Sequence, residues 1–375
     1  MSLAENLRRE LHRYPELSGN EVETAHRIVR FFRALGPDDM VEGLGGRGVA
    51  VVFGGDGPGP TVMLRSELDA VPVQETNRFA HCSAVDGVAH QCGHDGHMAI
   101  LAAVGEQLAR HRPPKGRVVL LFQPAEENGA GAAAVLADSR FSAIRPDFAF
   151  ALHNLPGYPL GEIVIGNGTF TCASRGMRIG LYGKTAHAAQ PQTGCSPALA
   201  MCRIIEVLND LPASLAPGET HAFATVVGAR LGEGEPFGTA PGTASVLATL
   251  RSESENAMAR IVSFCEALVE TEARRAGLKW ATAYQDVFLS TVNADAAVAA
   301  VCRAADPLPV ARIDAPFPWS EDFGRFTAIV PGALFGIGSG ENMAALHHPD
   351  YDFPDALIPQ AAGLWRRLLS QLLDE

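Results

Sequence analysis

The chain has 375 residues, 47% apolar and 19% charged, with 38 glycines and 25 prolines. That balance suits a globular protein of about two domains and excludes a disordered or fibrous chain. A net charge of −12 argues against nucleic acid as a partner, since the densest basic stretch, 110–117, is broken by Pro113, Pro114 and Gly116.

In chain order, Val22, Ala25, Ile28, Val29, Phe32 and Leu35 mark one face of a helix that stops at Gly36-Pro37. Strands are predicted over 49–53 and 61–65, joined by a Gly/Pro-rich turn, then a helix over about 97–109. The runs 117–123 and 147–152 read as strands of a buried sheet. Strands alternating with helices argue for an α/β domain. From about Ser174 the pattern changes. A strand at 177–182 is followed by a helix that Ser196 and Pro197 would open, running to Asp210. Strands are expected over 221–229 and 243–251, then a long helix capped by Ser254 and ending at Gly277, then a strand over 279–285. The order β-α-β-β-α-β is that of a ferredoxin-like split unit. It predicts an inserted domain over 174–285, with 1–173 and 286–375 forming one α/β domain that ends in a helix near 356–373.

Seven cysteines, with no Cys-x-x-Cys pair, suit reduced thiols in a cytoplasm. Met1 to Arg13 carries no apolar run of the signal-peptide kind, and no segment approaches the ~20 apolar residues of a membrane span. A soluble cytoplasmic protein without a membrane partner is expected.

The densest set of ligand-type residues is His90-Gln91-Cys92-Gly93-His94-Asp95-Gly96-His97. A strand, or a loop flanked by glycine, would let Cys92 and His94 converge on one ion, and thiolate with imidazole suits zinc. A loop that is merely rich in histidine is the plainer alternative. Asp95 is expected to orient an imidazole, and His97 to begin the next helix. Glu126 and Glu127 leave the buried strand 117–123, where adjacent side chains diverge, so one could hold a metal and the other a water. A solvated pair of carboxylates is the alternative. Asp69 ends another strand, and His153 follows 147–152; ligands gather at strand ends in open α/β sheets. The glycines 336, 338 and 340 are read as a permissive loop before His347, and His12, His26, His81, His111 and His221 as surface or packing residues.

Arg-Ser-Glu-Leu-Asp-Ala-Val-Pro (65–72), Cys-Gly-His-Asp-Gly-His (92–97) and Phe-Gln-Pro-Ala-Glu-Glu (122–127) resemble the aminoacylase and carboxypeptidase metallohydrolase family. The subgroup resembled holds hippurate hydrolase and the indoleacetyl-amino-acid amidohydrolases. His153-Asn-Leu-Pro, Gly183-Lys-Thr-Ala-His187, Ser320-Glu-Asp-Phe323 and Leu346-His347 continue the resemblance in order. It implies an α/β metal-binding domain with an inserted dimerisation and lid domain. It also implies two divalent ions (Zn, Mn, Co or Ni) held by Cys92, His94, Glu127, His153 and His347, with Cys92 shared. Glu126 would be general base and acid, and His187 would reach the partner's site in a homodimer. Arg251, in Ala-Thr-Leu-Arg, would meet the substrate carboxylate. The sequence departs from the family where Pro191-Gln192 stands for Pro-His, and where Gly238-Thr239-Ala240-Pro241 lacks an Asn before Ile-Pro.

The expected activity is hydrolysis of an N-acyl amino acid with a small acyl group, such as acetyl or benzoyl, to an acid and an amino acid. A dipeptidase or carboxypeptidase on the same chemistry stands as the alternative. A thiol hydrolase using Cys92 and a non-catalytic binding protein are the further ones.

Overall fold

The computed structural model describes residues 1–234 and 237–374. The chain divides into two compact units. The first comprises Met1–Phe170, Thr291–Ala315 and Glu321–Glu375, and the second Thr171–Ser290 with Pro316–Ser320.

The first unit is built on an eight-stranded sheet. Across it the strands run Asp39–Leu44, Gly48–Gly54, Arg117–Gln123, Thr61–Glu67, Phe148–Pro156, Gly332–Gly340, Ile163–Ile165 and Val310–Arg312. The central four, from Arg117–Gln123 to Gly332–Gly340, are mutually parallel. They therefore point their C-terminal ends the same way. The expected strands 49–53 and 61–65 are present but do not pair, because Arg117–Gln123 lies between them. The predicted glycine-rich loop at 336–340 is a strand instead. Gly336 and Gly338 are needed there for close approach, since a Cβ would fall 2.1 Å from Leu155 Cδ1 and 2.0 Å from the Pro159 carbonyl oxygen.

Helices cover this sheet. Val22–Arg33 buries Ala25, Ile28, Val29 and Phe32, and the Phe32 ring packs 5.2 Å from Phe122. Leu357–Leu373 buries Trp365 against Phe150 and Phe335. Leu3–Arg13 opens with a capping box between Ser2 and Glu5. The helix expected from 97 begins earlier, as His94–Arg110, because Gly93 takes φ +91 and turns the chain into it. A Cβ on Gly93 would also lie 2.5 Å from Asn154 Oδ1.

The second unit has a four-stranded antiparallel sheet in the order Phe223–Leu231, Thr243–Ser252, Ala173–Tyr182, Lys279–Phe288. In sequence its main elements follow strand, helix, two strands, helix, strand. Helices Ala198–Asn209 and Glu255–Arg275 bury Ile204, Leu208, Met258, Ile261 and Cys265 with Val246 and Leu250 of the sheet. Ser254 caps the longer helix by accepting from the Ala257 amide. The shorter one begins one residue late, after Pro197, with Ser196 Oγ accepting from the Ala198 amide at 3.4 Å. Among the described residues, no helix is long and apolar enough to cross a membrane.

Candidate metal centre

The C-terminal ends of the parallel strands carry the polar residues. Thr61–Glu67 leads to Asp69, and Arg117–Gln123 leads to Glu126 and Glu127. Ala125 sits between strand and carboxylates at φ +50. This left-handed kink breaks the extended path at the strand end, at a cost of about 1–3 kcal/mol that functional sites tolerate. His153 is not beyond its strand, as expected from sequence, but inside Phe148–Pro156. His347 lies in the loop after Gly332–Gly340, at φ +64.

Five residues converge. Ligand atoms of Cys92, His94 and His153 lie within 4.8 Å of one another, as do those of Cys92, Glu127 and His347. Cys92 belongs to both groups. His94, Glu126 and Glu127 form a third such group. Cys92 Sγ is 3.5 Å from His153 Nε2, and His347 Nε2 is 3.4 Å from Glu127 Oε1.

The histidine tautomers follow from their partners. His94 Nδ1 lies 2.8 Å from the Asp69 carbonyl oxygen, and His153 Nδ1 lies 2.9 Å from the Asn154 carbonyl oxygen. A carbonyl only accepts, so each Nδ1 carries a proton and Nε2 is the ring atom left to face the cluster. His94 Nε2 and Glu127 Oε1 are buried with no hydrogen-bond partner, although they stand 3.8 Å apart. Leaving two such atoms unsatisfied costs roughly 1–3 kcal/mol each. Two donors on one tetrahedral ion at about 2.1 Å would stand roughly 3.4 Å apart. The donor set therefore fits a metal.

Electrostatics agree. Burial alone would push the His94 imidazole down, but the Asp69 bond and the Glu67 and Glu127 charges carry it up to about 10. Burial pushes the Cys92 thiol well up, and the Glu127 and Glu126 carboxylates add to this. Burial likewise raises the Glu126 carboxyl far above its usual range, with Glu321, Glu127 and Asp322 contributing. A cluster of acids with a thiol is short of positive charge, which divalent cations supply.

Several residues around the cluster were not singled out from sequence. Arg65, 1% exposed, bonds Glu67, Glu321 (2.7 Å), Asp322 (2.6 Å) and Gln123 (3.0 Å). It is the cation among buried carboxylates beside Glu126, and burial with the Glu321 charge lifts Asp322 to about 7 despite it. His97 is in the first turn of its helix, between Glu67 Oε2 (2.7 Å) and Asn154 Oδ1 (2.6 Å). Asp95 does not orient a ligand imidazole; Asp69 does that for His94. Successive helical residues point about 100° apart, so Asp95 turns away and meets His12 at 2.9 Å. His12 is thus neither on the surface nor a neutral packing residue. The signal was present: Arg65 and Asp322 lie inside stretches already notable in the sequence.

Residues 63–371 match the family model described as Peptidase family M20/M25/M40. This chain belongs to that family. N-acetyl-L-cysteine deacetylase of Bacillus subtilis (strain 168) is 30% identical, over 98% of this chain and 88% of its own length. N-acetyldiaminopimelate deacetylase of Priestia megaterium is 30% identical over 96% of this chain and 97% of its own. Among solved structures, the YXEP protein of Bacillus subtilis, described as a dinuclear metal binding peptidase from the M20 family, has a TM-score of 0.82. It is 26% identical and covers 99% of this chain and 98% of that one.

The remaining two M20-type candidates lie in the second unit. His187 is exposed on the two-residue strand Ala186–His187, paired with Thr239–Ala240, and accepts from the Ala189 amide at 3.0 Å. Thr239, in the segment that departs from the family, stands directly opposite it. Arg251, half-buried at the end of Thr243–Ser252, donates to the Pro318 carbonyl (2.8 Å) and Ser320 Oγ (3.0 Å). No carboxylate among the described residues pairs with it. Burial pulls its guanidinium down.

Proposed function

We propose that the chain is a metal-dependent amidohydrolase that splits N-acyl amino acids into a carboxylic acid and an amino acid. The observation that carries this is the pair of buried atoms without a hydrogen bond, His94 Nε2 and Glu127 Oε1, beside Glu126, whose carboxyl burial raises above its usual range. We assign Cys92, His94, Glu127, His153 and His347 as ligands of two divalent ions, with Cys92 shared. Zn, Mn, Co and Ni all suit this mixed donor set. When bound, such ions supply Lewis acidity to the substrate carbonyl and to water.

The chain's own residues do the rest. Glu126, ionised once cations offset its acidic neighbours, takes a proton from the attacking water and, now protonated, gives it to the leaving amine. Asp69 holds His94, and Asn154 holds His153, each at Nδ1. Arg65 balances the charge of Glu67, Glu321 and Asp322 next to Glu126. His187, supplied by the partner subunit of a homodimer, donates to the carbonyl oxygen as it gains charge. Arg251, lacking an acidic partner, takes the substrate's α-carboxylate. We read the second unit as an inserted ferredoxin-like domain for dimerisation and substrate closure, and the first as the catalytic domain in two stretches of sequence. The names of the deacetylase relatives favour acetyl as the acyl group, with benzoyl or indoleacetyl substrates as the finer possibility within the hippurate hydrolase subgroup. A cytoplasmic location suits the seven unpaired cysteines.

A thiol nucleophile has one observation in its favour, the Cys92–His153 contact. Against it, burial first and the Glu127 and Glu126 carboxylates next push the Cys92 thiol up, the reverse of the electropositive setting that a catalytic thiolate needs without a metal.

The test is exhaustive chelation followed by assay on a panel of N-acetyl and N-benzoyl amino acids. Activity should vanish and return with Mn, Co, Ni or Zn at about two ions per chain, measured by elemental analysis. Full turnover in metal-free protein would overturn the assignment.

A further inference from the structure

Beside the cluster lies a buried histidine that this chemistry does not use. His12, on Leu3–Arg13, is fully buried. Its Nδ1 is 2.9 Å from Asp95 Oδ2 and its Nε2 is 3.2 Å from Glu75 Oε1. Carboxylates accept at both ends, so the ring carries both protons and acts as a two-ended donor. One turn earlier on the same helix, Arg8 lies 3.4 Å from Asp95 and pairs with Asp352 (2.7 Å) and Asp355 (2.8 Å).

The two arms of His12 lead to different parts of the metal centre. One arm ends on Asp95, the residue that follows His94 in the first turn of its helix. The other ends on Glu75, whose Oε1 also accepts from Asn77 Nδ2 at 3.0 Å. Asn77 Nδ2 donates in turn to the Tyr351 carbonyl at 3.1 Å, and the Thr76 amide donates to the Pro349 carbonyl at 2.8 Å. The segment just after His347 is therefore hung from residues 75–77.

His347 is the ligand candidate with most need of such support. It lies outside any helix or strand, its side chain is 50% exposed, and its backbone is left-handed. Its own tether is its amide, which donates to the Gln91 carbonyl at 2.8 Å. Cys92, His94 and His153 are buried.

We propose that His12 is a positioning residue for the metal centre. It clamps the helix that presents His94 to the loop that presents His347, and so sets the spacing between the two groups of donors. The proposal rests on the ligand assignment above. It separates cleanly from a packing role: a histidine that only fills the core would, when removed, lower stability and treat both ions alike. A clamp acting through the loop weakens the ion held by His347 and spares the one held by His153.

Metal-free full-length chain titrated with Co²⁺, followed by calorimetry and visible absorption, reads this directly. His347→Ala and His153→Ala mark which ion is which. His12→Ala should weaken the ion that His347→Ala removes by about 10–100-fold, the scale seen when outer partners of metal ligands are lost. The other ion should keep its affinity and its absorption band. Asn77→Ala cuts the same arm without stranding a buried charge, so it folds even if His12→Ala does not, and should shift the same ion in the same direction by less. The double variant should fall short of the summed effects, as expected for residues on one arm. Wild-type affinity for both ions in both variants, or equal weakening of the two, would overturn the proposal. If His347→Ala itself kept both ions, the ligand assignment would fail first and take the clamp with it.

Discussion

The two sheets of this protein treat polar residues in opposite ways. In the first unit, Thr61–Glu67 is buried along its whole length and Arg117–Gln123 from Val118 onward. In the second, Thr243–Ser252 alternates: Ala244, Val246, Ala248 and Leu250 face the helices while Ser245, Leu247 and Thr249 are half-exposed. A sheet covered on both faces gives its side chains no route to water, so an ionisable residue there needs a partner or a ligand. A sheet with one open face houses polar residues at little cost. Burial therefore marks most of the candidate residues of the first unit, where Arg65, Glu67, His94 and Glu126 are each 5% exposed or less, with the half-exposed His347 the exception. It marks nothing comparable around His187.

The sharpest way to break that contrast is through the adjacent glutamates. Glu126→Gln should keep both ions and lose turnover by ~10²–10⁴, the scale of general acid–base catalysis. Glu127→Gln should instead lose metal, which titration with Co²⁺ would detect. Near-normal kcat in Glu126→Gln would mean that a buried carboxyl with a raised pKa is not a reliable mark of function here.

The same contrast decides what could be read from the sequence. The run 117–123 is a continuous apolar stretch and was found to the residue, and the alternation at 243–251 is one residue short. Ligand candidates were legible because cysteine and histidine crowd into 90–97 and paired carboxylates follow the strand 117–123. The short strands Ile163–Ile165, Gly168–Thr171 and Val310–Arg312 were not legible, because three or four residues show no period. Gly332–Gly340 was hidden by its glycines, whose reason is the close passage of Leu155 and Pro159, and such approach leaves no local trace. Arg65 and His12 were passed over for a related cause. Their carboxylate partners lie 63 to 257 residues away in sequence, apart from Glu67.

Core substitutions should differ between the sheets as the burial does. Phe122, fully buried between the sheet and Phe32, should cost about 3–5 kcal/mol when changed to alanine. Gln285→Ala, on the exposed side of Lys279–Phe288, should stay within about 0.5 kcal/mol. Chemical denaturation of the metal-free protein measures both. A loss at Gln285 rivalling that at Phe122 would mean that the open face is covered in solution.

That possibility leads to His187, the one catalytic candidate that burial does not flag. It sits on a two-residue strand facing Thr239, exposed, with its Nδ1 engaged by the Ala189 amide. A loop histidine held this way is ordinary unless its Nε2 serves a site in another chain. If each site needs its own Glu126 and its neighbour's His187, then His187→Ala and Glu126→Gln homodimers are both nearly inactive. Mixed and allowed to exchange, they form heterodimers in which one site carries both defects and the other neither. With random exchange, half of the dimers are mixed and each has one working site, so activity should return to about a quarter of wild type. Exchange itself is checked by differential labelling. Labelled heterodimers without recovered activity would confine His187 to its own chain or remove it from catalysis. In the latter case Arg251 would be the second unit's one remaining candidate for a part in the reaction.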